Sequence, residues 1–463
     1  MGKNHPIMKN LATTLLLLSF LALPSAAQAI SVKKILRKHA QAMGGLEQWQ
    51  QLTSYRLVFQ KSEHRQLIIT CRMPDQITLD FQNGGQFLRK GYDGTHGYIV
   101  KNDRYQPMRP GEAIEMAEEP VFYSDLMEAY AQNAPVKLLG KESMDGIPCY
   151  QLSWQKGPND EQMYWVNQET FLIEQTGEYS EDKAHAGIYY KTRLKDYRWV
   201  EGYRFPFYQL IIPSNRAPII SITSSVEVNI TLPEDQFKYQ PESARNLIAY
   251  WKDRYAAESL VSYTFVQETT RYRDGKAEPT TTWYEAVRYP DQFRIDFGNG
   301  EAGNINLWRQ DSLYVLRKGE WAHQGPEIQA SLLMKGGLYH YPVDTTLAKL
   351  TALGIDTSAF QDTTYNDRET YIIGKVANTE PQIWLDAVRR NVVKRINRLK
   401  DGRLLEVRYG DFVQVNGHWV ESYVAFYIDG QLIQTEVYRD IDTEPELTED
   451  IFNPDQLQGA IWY

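Results

Sequence analysis

The chain has 463 residues, with 50 Lys and Arg against 59 Asp and Glu and a formal net charge of −9. That balance gives no electrostatic reason to bind nucleic acid or an anionic membrane surface. Its 31 Tyr and 11 Trp suit half-buried pleated surfaces, so a sheet-rich globular protein is expected.

The first element in chain order is a targeting segment. Lys3, Lys9 and the amino terminus make a positive start, Leu11 to Leu23 is apolar, and Ala27-Gln28-Ala29 fits a small-x-small cleavage site. Residues 1–29 read as a secretory signal peptide removed near Ala29. The apolar stretch is shorter than the roughly 20 residues that cross a bilayer. No later apolar run is long enough either, and no cysteine near the cleavage site supports a lipid anchor. The mature chain is expected to be soluble and periplasmic or otherwise exported, not an integral membrane protein.

A helix is expected near Ser31 to Met43, with Val32, Ile35, Leu36, His39 and Met43 on one stripe and Gly44-Gly45 ending it. Strands follow. Ile77, Leu79 and Phe81 share one face while Thr78 and Asp80 take the other. The pattern then starts again. Cys71-Arg72-Met73-Pro74-Asp75-Gln76-Ile77-Thr78-Leu79-Asp80-Phe81 is answered by Val287-Arg288-Tyr289-Pro290-Asp291-Gln292-Phe293-Arg294-Ile295-Asp296-Phe297. Leu52 to Tyr55 is answered by Leu260 to Tyr263, and Tyr164 to Asn167 by Ile383 to Asp386. Leu232-Pro233-Glu234-Asp235-Gln236-Phe237 is answered by Leu447-Thr448-Glu449-Asp450-Ile451-Phe452. Collinear matches at nearly constant spacing imply a tandem duplication of one domain of about 210 residues, too long a period for a solenoid. The second copy's first helix is expected over Ser243 to Tyr255.

Hairpin-type turns punctuate both copies, among them Asp93-Gly94, Asp145-Gly146, Asp274-Gly275, Asp401-Gly402 and Asp429-Gly430. So many short strands imply antiparallel sheets that curl around their own apolar faces. The expected fold is mainly β with α: two tandem, strongly curved antiparallel half-barrels, residues 30–238 and 239–463, each closed by helices. Cys71 and Cys149 could join outside the cytoplasm. Their strand phases favour two separate buried or half-buried thiols.

Each copy carries a helical insertion at the same point of the strand run. Glu112 to Gln132 holds Phe122, Leu126 and Met127; Glu327 to Leu353 holds Leu333, Met334 and Leu338. Such helices either plug the mouth of a curled sheet or form a movable lid over an acyl cavity. The candidate ligand-binding residues are therefore Ile77, Leu79, Phe81, Phe293, Ile295 and Phe297 for the wall. Phe122, Leu126, Met127, Leu333, Met334 and Leu338 are the candidates for the cover.

The opening Val32-Lys33-Lys34-Ile35-Leu36-Arg37-Lys38-His39-Ala40-Gln41-Ala42-Met43-Gly44-Gly45-Leu46-Glu47-Gln48-Trp49 resembles the start of outer-membrane lipoprotein-sorting-like proteins. So do Leu138 to Tyr150, Asp196 to Phe207 and the closing Leu232 to Phe237. The resemblance runs once per copy and is closer in the first. It implies the LolA/LolB-like fold of the periplasmic lipoprotein carrier and its receptor, an incomplete antiparallel barrel closed by helices around an apolar cavity for acyl chains. In that carrier a basic residue immediately before the proline of the second strand latches the lid. Here Met73 and Tyr289 stand in that place, and Arg72 and Arg288 lie one residue back. One residue along a strand reverses the face, so both arginines are expected to face solvent.

Enzyme signatures are weak. The histidines show no zinc-hydrolase spacing, and there is no nucleophile elbow or phosphate-cradling loop. Ile355-Asp356-Thr357-Ser358-Ala359 resembles an aspartic-protease triplet without its glycine and is expected to be a helix cap after Gly354. No catalysis, metal or cofactor is expected. Two readings remain. One is an exported carrier sheltering lipid or lipoprotein acyl chains. The other is an envelope scaffold that binds a partner protein and holds no ligand.

Overall fold

The computed structural model describes residues 30–118, 124–157, 160–179, 187–298, 303–377, 379–457 and 462–463. Residues 1–29, read from the sequence as a signal peptide, and Phe122 lie outside the described residues. The protein is mainly β, built of large antiparallel sheets with helices inserted between strands. No described helix is long and apolar enough to cross a membrane.

Internal contacts divide the chain into two compact units: residues up to Gln51 with Phe122–Ser221, and Leu52–Val121 with Ile222–Tyr463. In the first unit the helix Val32–Ala42 begins at Ser31, whose Oγ accepts from Lys34 N. Such a cap satisfies one of the orphan donors of the first turn. The helix buries Ile35, Leu36, His39 and Ala40. Ile35 and Leu36 join Leu126, Ala129, Leu152, Tyr164 and Val166 in one apolar cluster. The unit's strands run, in spatial order, Tyr203–Pro213, Tyr189–Val200, Ile173–Tyr179, Asp160–Asn167, Ile147–Gly157 and Lys137–Met144.

In the second unit one strand run is Arg104–Pro107, Gly97–Lys101, Gln86–Tyr92, Gln76–Asn83, Arg65–Arg72, Ser54–Ser62, then Ile219–Val228. A second run begins Glu320–Pro326, Ser312–Arg317, Ile305–Arg309, Gln292–Phe297, Thr281–Arg288, Ser262–Arg273, then Gln431–Asp442. Position for position, these are the same succession. The second run continues through Tyr423–Ile428, Leu404–Gly410, Val392–Arg398, Gln382–Asp386, Arg368–Gly374 and Phe360–Tyr365, the order found in the first unit. The register repeats too: Tyr55 faces Cys71 and Leu57 faces Ile69, as Tyr263 faces Val287 and Phe265 faces Glu285.

The strand Arg104–Pro107, at the edge of its sheet, is fastened to the helix Ala244–Tyr255. Tyr105 N donates to Asn246 Oδ1 at 3.0 Å, Asn246 Nδ2 donates to the Asp103 carbonyl at 2.7 Å, and Tyr105 Oη donates to Asp253 at 2.6 Å. Asn246 and Asp253 belong to the helix Ala244–Tyr255, and Asp103 immediately precedes the strand Arg104–Pro107. Tyr98, Tyr105, Tyr239 and Tyr250 pack around the junction with ring centroids 4.7–5.5 Å apart.

Arg72 and Arg288 are not simply solvent-facing charges. Arg72 Nη2 donates to the carbonyls of Leu232 and Pro233 at 3.0 and 2.6 Å, and its guanidinium lies 5.2 Å from the Phe237 ring. Arg288 Nη2 donates to the Leu447 carbonyl at 2.6 Å and lies 5.0 Å from the Phe452 ring. Each arginine thus binds the closing segment of its own repeat, using its planar fork on carbonyls and its face on an aromatic ring. Cys71 and Cys149 are both buried and free.

Candidate functional site

On the first repeat's strands Leu67, Ile69 and Cys71 alternate onto one face, opposite Phe81, Leu79 and Ile77 in register. Cys71 and Ile77 are buried with Met108 and Met116, and Ile69, Leu79, Ile99 and Ala113 pack around them. The helix Pro110–Glu118 supplies that cover. The next row, Leu67, Phe81 and Leu88, is only half-buried and lines a groove of about 350 Å3. Lys61, Arg65 and Lys101 stand on the same lining. Of the predicted wall, Phe81 therefore lines the groove, Leu79 packs against the buried cluster, and Ile77 sits within that cluster. Leu126 and Met127 are fully buried and belong to the other compact unit.

In the second repeat Tyr263, Phe265 and Gln267 share a face with Trp283, Glu285, Val287, Phe293 and Ile295, and all eight line a chamber of about 140 Å3. Phe293 and Ile295 thus lie on the wall. Phe297 does not; it packs against Trp283, with centroids 4.7 Å apart. The helical cover is also displaced. Leu333, Met334 and Leu338 are buried in the apolar core, and Gln329, Ser331, Leu332 and Lys335 face the chamber instead. A π-turn spans Leu333–Gly337, the stretch that carries Lys335. Gly336 is required there: a Cβ would stand 2.0 Å from Cδ1 of Tyr289.

The chamber is not apolar throughout. Lys335 Nζ is bonded to Glu421 and lies 3.5 Å from Tyr263 Oη. Burial opposes the lysine's charge, but Glu421, Tyr289 and Tyr409 together outweigh it and hold the ammonium protonated. Burial, and then the charge of Glu436, push Glu285 well above the usual carboxyl range. Glu436 is pushed up to about 7 by burial, against the bonds it accepts from Tyr438 at 2.9 Å and Gln434 at 2.7 Å. Tyr409 Oη and Arg395 Nε, on adjacent strands, are buried with no hydrogen-bond partner among the described residues. Tyr263, Tyr289 and Lys335 also line a second space of about 100 Å3, with Tyr255, Arg389, Arg390 and Trp419. Those three shared residues form the partition between the two spaces.

Phase alone signalled this chemistry. Glu285 lies between Trp283 and Val287 at the inward period of two, and Glu436 lies between Gln434 and Tyr438 in the same way. Among the described residues no group of three or more His, Cys, Asp or Glu is placed to hold a metal. Asp356 does not cap a helix. Its Oδ1 accepts from Ser358 N at 3.1 Å and Ser358 Oγ at 2.6 Å, closing a turn before the strand Phe360–Tyr365.

No family model matches the sequence, and no curated protein matches it. Solved structures match at low identity. A DUF1329 family protein from Desulfovibrio piger is 13% identical over 46% of this chain and 98% of its own, with a TM-score of 0.33. A LolA superfamily protein from Nitrosomonas europaea is 12% identical over 46% and 98%, also at 0.33. The MucA/MucB complex of Pseudomonas aeruginosa matches at 9% identity over 87% and 93%, with a TM-score of 0.17.

Proposed function

We propose that this protein is an exported, non-catalytic carrier that shelters an acyl chain of a lipid or lipoprotein. It would act after cleavage near Ala29 as two tandem half-barrels, residues 30–238 and 239–463. The observation that carries the reading is the row Leu67, Phe81 and Leu88. It continues the face buried under Met108 and Met116, yet remains open in a groove of about 350 Å3. An acyl chain laid along that row needs no charged site for its tail. Each methylene moved from water contributes about 0.8 kcal/mol, so roughly ten contribute on the order of 8 kcal/mol before the cost of ordering the chain. Lys61, Arg65 and Lys101 on the rim suit an anionic head.

The test is uptake of a fluorescent fatty-acyl probe by the mature chain, compared with Leu67→Asn and Phe81→Asn. Both side chains are half-buried, so polar substitution should lower affinity tenfold or more while leaving the circular dichroism and melting temperature close to those of the unaltered chain. If the unaltered protein takes up no probe, the scaffold reading replaces the carrier.

A further inference from the structure

We infer that the chamber of the second repeat is a separate site for a small carboxylate with a compact apolar body, its oxygens held by Tyr409 and Arg395. The inference does not rest on acyl binding in the first repeat.

The argument begins with satisfaction of polar atoms. A buried donor without a partner costs about 1–3 kcal/mol, and folded proteins rarely leave one. Here two lie in one chamber. Tyr409 is 7% exposed with its Oη unpartnered among the described residues, and the Nε of Arg395, on the same lining, is likewise buried and unpartnered. Arg395 and Tyr409 come from neighbouring strands, Val392–Arg398 and Leu404–Gly410, whose register sets Arg395 opposite Val407.

Of the chamber's other titratable groups, burial favours the neutral form of Glu285. Lys335 is bonded to Glu421, and Glu436 accepts from Tyr438 and Gln434. Arg395 has no salt bridge among the described residues, and its charge reaches Glu436 only at longer range. A guanidinium and a phenol hydroxyl on the lining of one chamber match a carboxylate, which accepts in a plane. Phe265, Phe293, Ile295 and Val424 give the space an apolar wall for the rest of the molecule. At the position matching Glu285 the first repeat carries Ile69: Leu57 faces Ile69 where Phe265 faces Glu285. The two repeats have diverged in what they line.

The test uses the whole mature chain, titrated calorimetrically with octanoate and phenylacetate and with their neutral counterparts octanol and phenethyl alcohol. A water molecule could satisfy the same two donors, and the alcohols separate that case from a carboxylate site. The expected result is at least tenfold tighter binding of an acid than of its alcohol. That preference should fall severalfold in Tyr409→Phe, disappear in Arg395→Met, and remain in Phe81→Asn. Tyr409→Phe removes only an unpartnered hydroxyl, so it should fold with unchanged or higher stability and keeps the test decisive if Arg395→Met does not fold. Failure of both acids to bind, equal binding of acid and alcohol, or a preference untouched by Tyr409→Phe would overturn the inference. Loss of the preference in Phe81→Asn would place the carboxylate in the first repeat's groove and overturn it equally.

Discussion

His39 makes the first unit's stability depend on pH in a direction fixed by its surroundings. The side chain is fully buried, with Nδ1 2.8 Å from the Phe171 carbonyl and Nε2 2.7 Å from Ser124 Oγ. A neutral ring serves both contacts, Nδ1–H donating and Nε2 accepting. Burial lowers its pKa from 6.5 to about 4, against the Phe171 carbonyl, which raises it. Below pH 6.5 the unfolded chain binds a proton that the folded chain refuses, so stability is present at neutral pH and lost as the pH falls towards 4. From pH 7.5 to 5.0 the loss is about 2 kcal/mol, because only the last 1.5 or so pH units separate the two states at about 1.4 kcal/mol each. Urea unfolding at both pH values, followed through tryptophan fluorescence, reads this out. With a slope of about 2 kcal/mol per molar urea, the unaltered chain should lose about 1 M more of its midpoint than His39→Gln. Comparing the two chains cancels the other titrating groups. Equal losses would refute the claim that His39 is held neutral.

The buried pair Arg294–Asp296, each side chain 2% exposed, makes a second test. Arg294 also donates to the Ile451 carbonyl at 3.0 Å, and Trp462 Nε1 donates to Asp296 at 3.0 Å. Arg294→Leu leaves a buried carboxylate uncompensated and should cost about 3–5 kcal/mol in denaturant titration, with much of it recovered in the double variant Arg294→Leu/Asp296→Leu. A loss under about 1 kcal/mol would contradict the burial argument. Gly336→Ala should lower stability by about 1–3 kcal/mol in the same assay, since its methyl group meets the Tyr289 ring. An unchanged midpoint would mean that the π-turn has room the packing does not show.

What the sequence made legible is what local period and repetition encode. The alternation of Ile77, Leu79 and Phe81 places all three on one face, and the matched Phe293, Ile295 and Phe297 repeat that phase across the duplication. Helix starts at Ser31 and Ser243 follow from capping chemistry, and both serines accept from the backbone N–H three residues on. The cover residues were not legible. Apolar character singles them out, and the apolar core takes Leu333, Met334 and Leu338 while Lys335 lines the chamber. Nor were Arg72 and Arg288: their partners at Leu232 and Leu447 are far away in sequence, and no local pattern reports a contact of that range. Residues such as Glu285 and Glu436 were legible only as exceptions, charges at inward phase on otherwise apolar faces.

The most direct test of the carrier reading is mass spectrometry of the mature protein purified from the exported fraction without detergent. The expected result is an acyl-bearing lipid or lipopeptide that copurifies in stoichiometric amount and is lost from Phe81→Asn, with the first repeat still folded. A chain that carries no acyl species, and from which a fatty-acyl probe displaces nothing, would contradict the account.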